Sequence, residues 1–217
     1  MKTILLCGGS SSRMGRPKQW LPLGGRPLLL QTLETIRPIC HDRVVITNDP
    51  DEAVRIREVA QVPTCPDEFP GQGPLAGLHA GLQDVPQDGI ALLVACDLPF
   101  LHTEVLRDLC DLLAADPQLE AAVPQEGTRL FPVCAVYRGS VRDRAARHLA
   151  QGQNALRKFL AELNVAYVPT ERWAHLKPSP FFNMNTPQAY EEVLDLYKKE
   201  GFTHDESSIS HGARLRR

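Results

Sequence analysis

Ile90-Ala91-Leu92-Leu93-Val94-Ala95-Cys96-Asp97 is the stretch on which the fold turns. An aliphatic run without charge that ends on an acid reads as a strand covered on both faces, because a half-solvated strand alternates apolar and polar residues. Upstream, Thr3-Ile4-Leu5-Leu6-Cys7 and Arg43–Thr47 also read as strands, being apolar and β-branched, and downstream so do Ala121–Pro124 and Phe131–Tyr137. Between these runs, apolar residues recur at helical spacing. The spacing predicts helices over Pro27–Ile36, Glu52–Ala60 after the cap-like Asp51, Leu75–Leu82, Thr103–Ala114, Val141–Ala150, Ala155–Leu163 and Pro187–Lys199. Strand and helix in alternation predict an α/β protein: a single-domain three-layer α/β/α sandwich with a mostly parallel, Rossmann-like sheet. Such sheets take ligands beyond the carboxyl ends of their strands, so the segments after Cys7, Thr47 and Cys96 are the first to search.

The 217 residues are 43% hydrophobic and 23% charged, as in ordinary globular domains, and their net charge of -2 with scattered Lys and Arg lacks the basic stripe of a nucleic-acid binder. The first apolar run is far too short to span a membrane and has no signal-peptide cleavage pattern after it, which predicts a cytoplasmic protein. One domain is expected over 1–203. The last fourteen residues, HDESSISHGARLRR, lose apolar periodicity and read as a disordered tail over 204–217. Six cysteines without a CxxC pair read as small buried hydrophobes kept reduced, with a reactive thiol at Cys7 as the alternative.

After the first strand runs Gly8-Gly9-Ser10-Ser11-Ser12-Arg13-Met14-Gly15-Arg16-Pro17-Lys18. Small residues let backbone N–H groups approach phosphates, and Arg13 and Lys18 can neutralise a triphosphate. The loop is not a Walker A loop, since Gly9 and Gly15 are one residue too far apart and Arg16 stands in the lysine position, and it is not GxGxxG. Asp97 at the end of its strand suits a hard Mg2+ ion, which takes one or two protein carboxylates and fills its other positions with phosphate oxygens and water. A turn aspartate before Pro99 is the bland alternative. Asn183 and Asn185, just before Thr186-Pro187, can offer amide oxygens to a metal or hydrogen bonds to a phosphorylated ligand.

The opening Leu6-Cys7-Gly8-Gly9 with Arg13-Met14-Gly15 and Lys18 resembles the signature of the molybdenum cofactor guanylyltransferases, with Cys7 in place of the usual alanine. Gly73-Pro74-Leu75-Ala76-Gly77, Cys96-Asp97-Leu98-Pro99 and Asn183-Met184-Asn185-Thr186-Pro187 resemble later motifs of that family, in its order. The resemblance implies transfer of GMP from GTP to the terminal phosphate of molybdopterin with Mg2+ as cofactor, and passing contact with molybdopterin-delivering or molybdoenzyme-maturation proteins. It implies main roles for Lys18 and Asp97, a supporting role for Arg13, backbone contacts to base and ribose from Leu6, Cys7 and Gly8, and nucleotide contacts from Asn48 and Asp67. Asn183 and Asn185 would face the acceptor. Arg129, Arg157 and Lys158, in the C-terminal half, are further acceptor candidates. Rival readings are a cytidylyltransferase on the same pterin, whose opening has alanine where Gly8 stands, a sugar- or polyol-phosphate nucleotidyltransferase, and a non-catalytic nucleotide-binding carrier module.

Overall fold

In the computed structural model, residues 1–8 and 17–200 are described. Arg13 and the expected tail over 204–217 lie outside them. Ten strands and seven α-helices follow in order among the described residues: β1 Lys2–Leu6, β2 Pro22–Leu23, β3 Arg26–Pro27, α1 Leu28–Ile36, β4 Arg43–Ile46, α2 Pro50–Ala60, β5 Thr64–Cys65, α3 Gly73–Gly81, β6 Ile90–Ala95 and α4 Thr103–Ala115, then β7 Ala121–Glu126, β8 Arg129–Leu130, β9 Cys134–Arg138, α5 Arg142–Ala150, α6 Leu156–Leu160, β10 Val165–Pro169 and α7 Pro187–Glu200. The main sheet has the order β10-β7-β9-β6-β1-β4-β5, with β8 paired to the end of β7. Within that order only β9 runs antiparallel to its neighbours. β2 and β3 form a separate hairpin.

Side-chain alternation builds the three layers. Leu5 and Cys7 of the first strand segment, with Leu92 and Val94 of β6, face a core completed by α1, α2, α4 and α7. Ile4, Ala91 and Leu93 face a second core with α3, α5 and α6. Ala91, Leu92, Leu93 and Val94 are all fully buried, so the uninterrupted aliphatic run is what a central strand between two helical layers requires. Each such Leu or Val gains about 1.5–3 kcal/mol on leaving water.

Several boundaries depart from the sequence reading. Asp49, not Asp51, caps α2: its carboxylate accepts from the N–H groups of Asp51 and Glu52, Pro50 opens the helix, and Asp51 sits in the first turn. α1 begins at Leu28 because Pro27 still belongs to β3. The segment Phe131–Tyr137 is strand only from Cys134, since Cys134 N–H turns back to the Phe131 carbonyl at 3.0 Å. α6 stops at Leu160, where Ala161, Glu162 and Leu163 close tighter i to i-3 bonds. β10, at the sheet edge, was not expected at all.

Helix α3 lies directly on β1. A Cβ at Gly77 would stand 2.4 Å from Leu6 Cδ2, and one at Gly81 would stand 2.4–2.6 Å from three side-chain atoms of Ile4. The Leu6 methyl ends a flexible side chain and can turn aside. Ile4 is fully buried and would be struck on both of its branches. Gly81→Ala should therefore lower stability by about 1–3 kcal/mol through overpacking, and by more than Gly77→Ala does. Urea unfolding of the two variants measures the difference; equal stabilities would show that the β1–α3 contact yields.

Candidate active site

The sheet register aligns the strand ends on which the candidate residues sit. Leu6 stands opposite Ile46 on one side and Ala95 on the other, and Ile46 stands opposite Cys65. The ladder continues one residue further, with N–H groups of Cys7, Thr47 and Cys96 bonded to the carbonyls of Ile46, Cys65 and Leu6. Gly8, Asn48, Asp67 and Asp97 thus leave the sheet along one edge. The N-terminal half of α3 meets that edge through the Gly77–Leu6 contact, after a turn in which Gly71 and Gly73 adopt positive φ.

Asp97 and Lys18 face each other there, Asp97 Oδ2 lying 3.9 Å from Lys18 Nζ with the two side chains 19% and 24% exposed. Lys18 Nζ also donates to Asn185 Oδ1. Met184 N–H donates to the Asp97 carbonyl at 2.9 Å, which draws the Asn183–Thr186 segment across the site. Thr186 meanwhile caps α7 through its hydroxyl, accepting from Ala189 N–H at 3.1 Å. Capping therefore accounts for Thr186 and leaves both asparagines to the site.

Burial pushes the Asp97 carboxyl above the usual carboxylate range, and the Lys18 charge and the Asn183 amide pull it back only in part. Among the described residues, Asp97 Oδ1 and Asn183 Oδ1 are buried without a hydrogen-bond partner. An unsatisfied carboxylate oxygen with an unsatisfied amide oxygen beside it fits a hard cation, which seeks oxygen ligands. No cluster of three or more His, Cys, Asp or Glu side chains able to hold a metal occurs among the described residues. Asp97 with the amide oxygen of Asn183 is a sparse donor set, the kind that phosphate oxygens complete.

Asn48 and Asp67, both expected as nucleotide contacts, grip each other. Asn48 Nδ2 donates to Asp67 Oδ2 at 2.7 Å, and Asp67 N–H donates to Asn48 Oδ1 at 2.8 Å. Their clasp ties the loop after β4 to the loop after β5, and Phe69 N–H, donating to Asp67 Oδ1 at 3.0 Å, extends it. Gly8 is exposed, and among the described residues a Cβ there would meet nothing within 4 Å. Cys7 is buried, and hydrogen bonding with Cys96 together with burial pushes its thiol well above the usual range, so the reactive-thiol alternative finds no support.

Arg129, Arg157 and Lys158 are exposed. Arg129, on β8, lies 4.8 Å over the Phe131 ring, and Arg157, on α6, donates to the Thr128 carbonyl at 3.1 Å, so both side chains lie against the β7–β8 hairpin. No contact joins Lys158's side chain to that hairpin in the hydrogen bonds and ion pairs of the described residues. Sequence reasoning missed Glu52, which accepts from Gln19 Nε2 and Trp20 Nε1 right beside Lys18. Its only sequence signal is an acid in a first helical turn, which a helix dipole explains equally well.

Residues 3–167 match the family model of the MobA-like NTP transferase domain. A probable molybdenum cofactor guanylyltransferase of Carboxydothermus hydrogenoformans is 30% identical, with 91% of this chain and 96% of that protein covered. The molybdenum cofactor guanylyltransferase of Vibrio cholerae is 30% identical over 85% of this chain and 87% of its own length. Among solved structures, molybdopterin-guanine dinucleotide biosynthesis protein A of Archaeoglobus fulgidus superposes with a TM-score of 0.79 at 29% identity, covering 92% of this chain and all of that one.

The geometry of Asp97 sets a stability prediction. Its raised carboxyl means that the fold prefers the protonated form, so the stability it withholds at pH 7 returns as pH falls through the folded-state pKa. Asp97→Asn should melt at the same temperature as the wild type or higher at pH 7, with the gap closing toward pH 4. A variant clearly less stable than wild type at pH 7 would mean that the Lys18 ion pair outweighs burial.

Proposed function

Because the chain belongs to the MobA-like NTP transferase family, and is a nucleotidyltransferase, we propose that it transfers GMP from GTP to the terminal phosphate of molybdopterin, releasing pyrophosphate. The observation that carries the reading is the half-buried Asp97–Lys18 pair at the carboxyl edge of the sheet, with an unsatisfied oxygen on Asp97 and another on Asn183 beside it. An oxygen of the acceptor phosphate attacks the α-phosphorus of GTP, and the bond from that phosphorus to the bridging oxygen of the β-phosphate breaks. A phosphate monoester is largely ionised near neutral pH, so this nucleophile needs no protein base.

The demands that remain are electrostatic: two polyanions must be brought together and the charge on the leaving pyrophosphate stabilised. Lys18 supplies a cation held among Asp97 and Asn185. Arg13 is proposed as a second, on sequence grounds. Asp97, with the amide oxygen of Asn183, is proposed to hold Mg2+, which when bound supplies charge neutralisation on the triphosphate. Gly8, with the backbone of Leu6 and Cys7, offers an open approach for base and ribose, and the Asn48–Asp67 clasp forms the neighbouring wall. Asn185 is proposed to face the acceptor, with Arg129 on the hairpin and Arg157 against it as candidates for its far end. A cytoplasmic setting is supported by six free thiols. No helix of the described residues is long and apolar enough to cross a membrane. Hand-over of product to maturation proteins would involve contacts outside this site.

Two assays test the reading. Pyrophosphate release with GTP, pterin acceptor and Mg2+ should fall by orders of magnitude in Lys18→Ala and vanish in Asp97→Ala, both folded; a few-fold loss would leave either residue outside the chemistry. On base choice, kcat/KM should favour GTP over CTP. Gly8→Ala should leave the fold unchanged, because its Cβ would meet no atom within 4 Å among the described residues. It should nevertheless shift the preference by roughly 10- to 200-fold, the worth of one methyl group in a tight pocket. Equal or better use of CTP by the unmodified protein would overturn guanylyl transfer and leave nucleotidyl transfer standing.

A further inference from the structure

Lys18 is useful only if its ammonium is held at Asp97, yet the turn that carries it has little of its own to hold it. Lys18–Trp20 is a single 3₁₀ turn without a side-chain cap, entered through Pro17, which has no N–H to anchor. Besides its packing against α1, the turn is gripped by side-chain hydrogen bonds from α2. Glu52 stands three residues after the cap Asp49, where the carboxylate of a capping box would fold back onto the cap's N–H. Here the Asp49 N–H meets Thr47 Oγ1 at 3.4 Å instead. Glu52 Oε2 is turned outward and accepts from Gln19 Nε2 at 2.7 Å and from Trp20 Nε1 at 2.5 Å.

The grip is enclosed. Gln19 is buried, the Glu52 side chain is 17% exposed, and Arg55 lies 4.0 Å over the Trp20 ring with its guanidinium 3.9 Å from Glu52 Oε1. A glutamate serving only the helix dipole would face water and need no such partners. Charge-assisted bonds are roughly twice as strong as neutral ones, and two of them from consecutive side chains set both the position and the rotation of the turn.

We propose that Glu52 is a positioning residue for nucleotidyl transfer: by holding Gln19 and Trp20 it fixes the turn whose first residue, Lys18, presents its ammonium to Asp97 and Asn185. The inference rests on the role proposed above for Lys18. It also gives Lys18 and Asn48 a common anchor, since Asn48, the cap Asp49 and Glu52 all lie at the start of α2.

The full chain is tested as wild type, Glu52→Ala, Glu52→Gln, Lys18→Ala and the Glu52→Ala/Lys18→Ala double variant, by pyrophosphate release with GTP, pterin and Mg2+. Glu52→Ala should lower kcat by about 10- to 100-fold, the scale of a misplacement near 1 Å, with KM for GTP changed far less. Glu52→Gln, whose amide oxygen can accept both bonds, should recover most of the rate. In the Lys18→Ala background Glu52→Ala should cost no more than about twofold, as expected for two residues acting through one interaction. A full, additive loss in that background, or a wild-type kcat in Glu52→Ala, overturns the proposal. If Glu52→Ala does not fold, Trp20→Phe removes one of the two donors, and an unchanged kcat there overturns it equally. A second readout needs no turnover: acylation of Lys18 by an N-hydroxysuccinimide ester, followed by mass spectrometry, should quicken in Glu52→Ala and not in Glu52→Gln, and an unchanged rate overturns the proposal. A wild type that releases no pyrophosphate removes the functional reading instead, and the acylation result still decides the role of Glu52.

Discussion

A carboxylate held mostly out of water at the end of β6, with one ammonium 3.9 Å away, governs the arrangement of everything around it. Taking a carboxylate from water costs several kcal/mol even after relaxation, while a cation about 4 Å away returns roughly 4 kcal/mol at the effective dielectric of a partly exposed site. The two are of one size, and the raised carboxyl of Asp97 says that burial prevails by a margin. Such a pair persists only where the surroundings leave it no easier geometry. Those surroundings come from distant parts of the chain: Lys18 lies before α1, and the Asn183–Thr186 segment, pinned by the Met184 N–H to the Asp97 carbonyl, leads into α7.

The central sheet was legible because its strands answer to a local rule. β1 and β6 are aliphatic on successive residues, and two helical layers are the only environment in which both sides of such a strand are dry. β10 obeys a different rule. Val165–Pro169 mixes half-buried and exposed residues at the sheet edge and contains a tyrosine that is 43% exposed, so its hydrophobic signal is diluted. β5 and the β2–β3 hairpin are two-residue strands, too short for any periodicity to register. At α2 the chain offers two acids in succession around Pro50. Proline at the first helical position pushes the cap back to Asp49, a choice that depends on helix geometry more than on residue type.

The candidate site divides along the same line. Asp97 was legible since it terminates the most apolar run in the chain, and Lys18 since it closes a glycine loop. The Asn48–Asp67 clasp joins residues nineteen apart through reciprocal amide–carboxylate and amide–backbone bonds, a pairing no spacing rule foretells. Read singly, each looks like a turn residue or a ligand contact. Together they fasten one strand end to the next. Glu52 was invisible for a similar reason, because its partners Gln19 and Trp20 are met only once α2 packs beside the turn after the glycine loop.

A donor set of one carboxylate and one asparagine amide differs in kind from a cluster of acids. Several carboxylates would hold a divalent cation by themselves and would repel an incoming triphosphate. One carboxylate, already opposed by a lysine, holds a hard cation weakly and leaves most of its coordination to phosphate oxygens. In the proposed reaction the metal and the nucleotide are then thermodynamically linked, each raising the affinity for the other by the same factor. The unsatisfied oxygens of Asp97 and Asn183 cost stability in the protein alone, and that cost is relieved when the ligands arrive. The site is least comfortable when empty, which is the condition under which binding energy can be directed at the charged groups that must react.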